Sequence, residues 1–234
     1  MSDGEFSTLV ARLRRAALAG GDLSAASPAD TARLLGVQAL TLSLRSARGS
    51  LELLWYDSAD TLGTALDDLQ FTLGEGPVWD ALRTGRTVTV PDLREVPAAR
   101  WPVLVPAAGR LAARSVIAAP LCLGVVTVGV LTGYRAAAGP FPAGQVDRFD
   151  LFSHVALDLL LHTPLASLAT GNPPVAGLDL HRAEVHQAAG VLSVRLDLPV
   201  DQALLRLRTH AWRHDRPLLE VARAIVAGRL RFPE

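Results

Sequence analysis

The chain has no lysine. All 23 of its basic residues are arginine, and beside so much Ala, Leu, Gly and Val that absence reads as high-GC coding bias, not as a functional device. Cysteine is nearly absent too. Cys122 stands alone in the apolar run Ala118–Leu123, where core packing is expected of it. A lone thiol excludes a disulfide framework within the chain and a redox pair with a resolving partner, and it suits a reducing cytosol. Net charge is zero, which argues against coating nucleic acid by bulk electrostatics. The opening Met1-Ser2-Asp3-Gly4-Glu5 is acidic and has no long apolar stretch behind it, so no secretory leader is expected. Ser115–Tyr134 carries no charge and is long enough to span a bilayer. Pro120, Gly124, Gly129 and Gly133 interrupt it, however, and its Val and Ile residues favour two strands meeting near Gly124. No membrane span is expected. A nucleophile elbow, a P-loop and a metal-ligand cluster are all missing, so neither an enzyme nor a cofactor or metal site is expected. His210 and His214 are four apart, but no third ligand joins them.

Half of the chain is apolar, enough for a real core. Leu9, Leu13, Ala16 and Ala17 suit an opening helix stopped at Gly20-Gly21, and Ser27-Pro28 starts another that ends near Gly36. Ala39–Leu44 and Leu51–Tyr56 read as strands across an Arg48-Gly49 turn. A helical stretch near Ala59–Leu69 follows, then the turn at Gly74-Glu75-Gly76-Pro77, a helix over Val78–Arg83, a strand over Thr87–Val90 and a loop over Asp92–Gly109. After the paired strands, Gln145–Leu161 closes with a helix bearing Val146, Phe149, Phe152, Val155, Ala156, Leu159 and Leu160. Helices before, between and after strand hairpins make an α+β domain with an antiparallel sheet.

The tail differs. Val185, Ala188, Ala189, Leu192 and Leu196 form one amphipathic stripe, and Pro199 breaks it. A second stripe runs through Ala203, Leu204, Leu207 and Ala211 and stops at Asp215-Arg216-Pro217; Leu218, Ala222, Ile225 and Val226 make a third. Three helices on turns this short form a small bundle. From Val175 onward there are nine Arg against seven acids. On charge alone that serves a solvated helix surface as well as an RNA-facing patch. Between the two regions, Ala169-Thr170-Gly171-Asn172-Pro173-Pro174-Val175-Ala176-Gly177 forbids a continuous helix and reads as an extended spacer. The expected layout is a first domain over 8–165, a linker over 166–177 and a helical module over 178–230.

Two resemblances sharpen this. Val185–Leu192, Ala203–Ala211 and Arg216–Ala222, through the joint spacing of Ala188, Gly190, Ala203, Ala211 and Ala222, resemble the ANTAR family of RNA-binding antitermination modules. Ala189 stands where many members carry Lys, and Pro199 where a Ser or Thr cap is common. The ordered landmarks Leu69–Pro77, Val90–Leu93, Arg100-Trp101-Pro102 and Arg114–Leu121 resemble a GAF domain of the kind that precedes ANTAR modules in actinobacterial proteins. Many such domains carry Cys where Val78 stands here, so thiol or iron–sulfur sensing at that position is not expected.

The resemblance implies a cytoplasmic, signal-responsive regulator whose GAF-like domain senses a small ligand or partner and whose ANTAR-like module binds RNA stem-loops as a homodimer. Glu75, Asp92, Arg100, Trp101 and Arg114 are the candidate pocket groups under the Asp92–Gly109 loop; turn capping, solvation and loop anchoring are their structural alternatives. Arg206, His210 and Arg213 share a face of the second tail helix and, with Arg216 at its edge, are the candidate RNA contacts. The alternative is a dimerisation or protein-docking module that binds no RNA. A DNA-reading helix-turn-helix is weaker, since no helix carries a run of base-reading Arg, Asn and Gln.

Overall fold

The computed structural model describes residues 3–46, 50–162, 182–214 and 216–230. The Arg48-Gly49 turn, the linker over 166–177, His181 and Asp215 lie outside the described residues. Two compact units divide the chain, Met1–Asp179 and Leu180–Glu234.

In the first unit, helix α1 (Asp3–Leu18) buries Phe6, Leu9, Val10, Leu13 and Ala17. Ser27 accepts from the Asp30 N–H to start α2 (Pro28–Leu35), and Gly36 ends it in the left-handed conformation. Strands β1 (Ala39–Arg45) and β2 (Leu51–Tyr56) pair antiparallel, with a bulge after Leu42. Helix α3 (Thr61–Leu73) is capped by Asp60 and closed by Gly74, so it runs one turn past the stretch expected from the sequence. Phe71, on that extra turn, is buried. Helix α4 (Pro77–Thr84) and strand β3 (Val88–Val90) follow.

The segment expected to be a plain loop contains a 3-10 turn (Leu93–Glu95) and a short helix, α5 (Leu104–Ala108). Strands β4 (Ser115–Leu123) and β5 (Val126–Arg135) meet at Gly124, and helix α6 (Ala143–His162) closes the unit. The sheet is antiparallel in the order β2-β1-β5-β4-β3. This is the α+β architecture expected.

Directly paired residues share a sheet face, so the register sorts the two sides. Ala39 pairs with Tyr134, Thr41 with Thr132, and Val116 with both Tyr134 and Val90. This face packs with Leu66, Leu93, Trp101, Leu104 and Ala108 in one buried cluster. The opposite face, carrying Leu40, Leu42, Ile117, Leu131 and Gly133, lies under α6. A Cβ added at Gly133 would stand 2.4 Å from Phe149 Cζ. Trp55 stacks on Phe152 with ring centroids 6.0 Å apart. Gln145 donates to the Leu35 and Gly36 carbonyls at 2.7 and 3.0 Å, tying α6 to the end of α2. Cys122 departs from its expected place in the core. It is half-buried past a bulge near the hairpin end, with Sγ 3.7 Å from Thr127 Oγ1. Among the described residues, no helix is long and apolar enough to cross a membrane.

The second unit holds α7 (Ala183–Leu196), α8 (Val200–Arg213) and α9 (Leu218–Val226). Its core is Val185, Ala188, Ala189 and Leu192 against Ala203, Leu204, Leu207 and Ala211, and Leu218, Val221, Ala222, Ala224 and Ile225. Six alanines in that set let the helix axes approach toward the short end of the usual 8–10 Å. Two expected stripe positions differ. Leu196 is half-buried at the helix end, and Val226 is exposed because Val221 and Ala224 supply the buried edge of α9 instead. Pro199 provides no side-chain cap to α8; Ser193 on α7 instead donates its hydroxyl to the Leu198 carbonyl at 2.5 Å.

Candidate functional site

The α3 side of the sheet carries polar groups in an otherwise apolar core. Gly63, Leu66, Asp67 and Gln70 fall at i, i+3, i+4 and i+7 on α3, so two polar side chains ride its buried stripe. Tyr134 donates its hydroxyl to Asp67 Oδ1 at 3.1 Å, Thr41 donates to the same oxygen at 3.3 Å, and the two hydroxyls stand 3.2 Å apart. Burial, and then the neighbouring Asp67 charge, push the Tyr134 phenol well above its ordinary pKa, so it remains a donor. Gln70 accepts from the Val78 N–H at 3.0 Å, and its backbone carbonyl accepts from Trp79 Nε1 at 2.8 Å. Its side-chain NH₂ and the Trp101 indole N–H are both buried with no hydrogen-bond partner among the described residues. These groups were not anticipated from the sequence. The signal was available: Asp67 and Gln70 occupy the apolar register of a helix.

The five candidate pocket residues separate into two sets. Asp92 and Arg114 pair across the ends of the roofing segment. Arg114 Nε donates to Asp92 Oδ1 at 2.9 Å, and a second, very short contact joins Arg114 Nη2 to Asp92 Oδ2. Asp92 also accepts from the Arg94 N–H at 3.0 Å, and the Leu93 N–H donates to the Arg114 carbonyl at 2.7 Å. The Arg114 hydrogen bond, helped by Arg94 and opposed by burial, lowers the Asp92 carboxyl to about 2.

The other set is Glu75, Arg100 and Trp101. Glu75 Oε2 accepts from the Val103 and Leu104 N–H groups at 3.0 Å, satisfying orphan donors at the start of α5. Arg100 reaches Asp80 at 3.2 Å and lies over the Trp101 ring, 4.4 Å from its centroid. Trp101 is only 2% exposed and fills the space beneath the roof with Leu104. No hydrogen bond among the described residues joins one set to the other. In this conformation the five anchor the roofing segment through each other and through backbone. An open cleft lined by Gly36, Val37, Gln38, Arg135, Ala136 and Ala137 contains none of them.

In the second unit, α8 turns Leu204, Leu207 and Ala211 inward and leaves Arg206 and Arg213 exposed, with His210 half-buried between them. Neither Arg206 nor Arg213 has an acidic partner among the described residues. Arg216 is paired with Glu220 at 2.8 Å. The His210 and His214 rings stack with centroids 4.0 Å apart. Burial, then the electrostatic influence of His214, Arg216 and Arg213, lowers the His210 pKa. At neutral pH His210 is therefore an uncharged ring, not a cation. Ala189, the position that carries Lys in many similar modules, is fully buried between helices. Its side chain takes part in helix packing, away from the surface that Arg206 and Arg213 present. Among the described residues, no group of three metal-ligating side chains comes together. Trp212 is 54% exposed beside this surface and was not singled out from the sequence. It falls off the Leu204–Leu207–Ala211 stripe, and that was the available signal.

Residues 26–160 match the family model of the GAF domain, and residues 180–226 match that of the ANTAR domain. Among solved structures, the chain is similar to the GAF domain of a phosphoenolpyruvate-protein phosphotransferase from Acinetobacter. Identity is 14% and the TM-score 0.52, over 74% of this chain and 99% of that one. The corresponding domain from Coxiella burnetii gives 15% identity and a TM-score of 0.52, over 71% of this chain and 99% of the other. At such identities the likeness concerns the fold alone. No curated protein matches the chain.

Proposed function

The chain belongs to the GAF domain family and carries an ANTAR domain behind it, and we propose that it is a cytoplasmic, signal-responsive regulator that binds RNA stem-loops to promote antitermination. The pairing of a ligand-sensing domain type with an RNA-binding antitermination module supports a regulatory role, not a catalytic one. The observation that carries the RNA reading is the outer surface of α8, where Arg206 and Arg213 stand exposed without acidic partners among the described residues. Guanidinium groups in that state are ready to contact phosphates. The neutral His210 ring between them suits contact with an unpaired base. Arg216, held by Glu220, is available once that exposed ion pair is exchanged for a phosphate.

In the first unit, the seat proposed for a small ligand lies between the sheet and its roof. There the unpartnered donors of Gln70 and Trp101 would meet a ligand's acceptors, and Glu75, Asp92, Arg100 and Arg114 would set how readily the roof opens. The test is binding of the full chain to stem-loop RNA, single-stranded RNA and duplex DNA at moderate salt. The expected result is preference for the stem-loop, with Arg206→Ala/Arg213→Ala weakening it at least tenfold and flattening its salt dependence by about two phosphate contacts. Equal binding of all three nucleic acids, or unchanged affinity in a double variant that retains its helical circular dichroism, would sink the reading.

A further inference from the structure

Among the described residues of the second unit, Val194, Leu205, Trp212 and Val226 are its exposed large apolar side chains, and two of these, Leu205 and Trp212, stand on α8. Leu205 and Trp212 are 63% and 54% exposed. Seven residues apart, they fall within about 20° of one line along the helix and roughly 10 Å from each other. Their surroundings are cationic. Arg208 lies one turn before Trp212 and Arg216 just beyond the end of the helix, while Arg206 and Arg213 take the adjoining strip of surface. Asp201, one turn before Leu205, is the one acidic residue of α8, and Arg216 is paired with Glu220.

An indole with an exposed face, set among guanidinium groups, matches the two needs of an unpaired nucleotide. The aromatic face covers the base, and the cations hold the phosphates on either side. The same charges disfavour a cationic protein surface at this position. The other tryptophans cannot serve in the same way: Trp55 and Trp101 are buried, and Trp79 is half-buried with its indole N–H bonded to the Gln70 carbonyl.

We infer that Trp212, with Leu205 beside it, is a stacking platform for an unpaired purine in the loop of the bound RNA, so that this face reads loop bases while the arginines read only backbone. This rests on the RNA-binding reading above. Stacking is strongest with the larger purine surface, so the preference over pyrimidines is modest and arises without base-edge hydrogen bonds. Because Trp212 is more than half exposed and lies off the buried stripe of α8, its replacement should leave the fold intact.

The experiment starts from stem-loop RNAs with a randomised loop, enriched on the full wild-type chain. Wild-type protein, Trp212→Phe and Trp212→Ala are then titrated with one enriched hairpin and with versions of it made abasic at single loop positions. Tryptophan emission is followed alongside affinity. We expect the enriched hairpin to quench wild-type emission. Trp212→Ala should weaken binding on the order of tenfold or more, with most affinity returned in Trp212→Phe. One abasic position should weaken the wild type but leave Trp212→Ala unaffected. If Trp212→Ala binds as the wild type does, or no loop position matters to the wild type, the platform is overturned while RNA binding through the arginines stands. If no hairpin enriches at all, the RNA reading itself falls. A variant that loses self-association but keeps its RNA affinity would assign this face to a protein contact and overturn the proposal.

Discussion

Asp92 and Arg114 hold the two ends of the roofing segment together, and their chemistry gives that link a pH limit. The Asp92 carboxyl is lowered to about 2 by the hydrogen bond from Arg114, with the Arg94 N–H assisting and burial opposing. The Arg114 guanidinium moves the other way, raised first by its bond to Asp92. In the unfolded chain the carboxyl returns to about 3.8. The native state therefore binds fewer protons than the unfolded one between those values. The resulting stability is complete above about pH 4 and disappears as the pH falls towards 2. Asp92→Asn should lower the melting point at pH 6, and its difference from the wild type should shrink as pH drops from 4 to 2. A difference that stays constant across that range would mean that the mutation acts through packing and not through this ion pair. The pairing itself was not legible in the sequence. Asp92 and Arg114 are 22 positions apart, and only the antiparallel return of the chain from the roof into β4 brings them together.

At the scale of elements, what could be read depended on whether the deciding interaction was local. Ser27 and Gly36 bracket α2 through caps that involve a few neighbouring residues, and α2 lies where the sequence puts it. Asp60 and Gly74 bracket α3 in the same way. Yet the periodic apolar pattern fades at Leu69, because the next buried positions on that face are Gln70 and Phe71. Short α5 has little period of its own. It exists because the distant Glu75 supplies its missing N-terminal acceptor and because Trp101 and Leu104 enter the core. The α3–α4 junction turns on Gly76, at φ +118°, a conformation that side-chain-bearing residues rarely adopt. A Cβ there would lie 2.6 Å from Gln70 Oε1 and 2.7 Å from Leu104 Cδ2. Gly76→Ala should destabilise the first unit by about 1–3 kcal/mol and lower its melting point by several degrees. Gly190, inside α7 with open space around it, should respond in the opposite way. Its replacement by Ala should stabilise the helix by roughly 0.5–1 kcal/mol. Thermal unfolding of both variants is the check, and a neutral Gly76→Ala would show that the junction can relax.

At the scale of the molecule, each unit has a core made of its own residues, and each follows from a different period in the sequence: paired strands in the first, three short amphipathic helices in the second. A module of some 50 residues is marginal alone and gains from whatever holds it. A signal sensed by the first unit can reach the second only if it favours one of two arrangements of the chain, since a ligand indifferent to both shifts nothing. Association of two chains is the proposed way to create such a choice. It would bring two RNA-binding helices together and match RNA that presents two stem-loops. Binding of the second stem-loop would then occur at an effective concentration set by the RNA spacer, and such a gain can reach 10²–10⁴ without any new contact. The full chain should therefore scatter light as a dimer and bind a two-stem-loop RNA at least tenfold more tightly than either stem-loop alone, with the gain falling as the spacer is lengthened beyond the optimal span. A chain that remains monomeric throughout the RNA titration, with equal affinity for one and two stem-loops, would separate sensing from dimerisation and require the signal to act within a single chain.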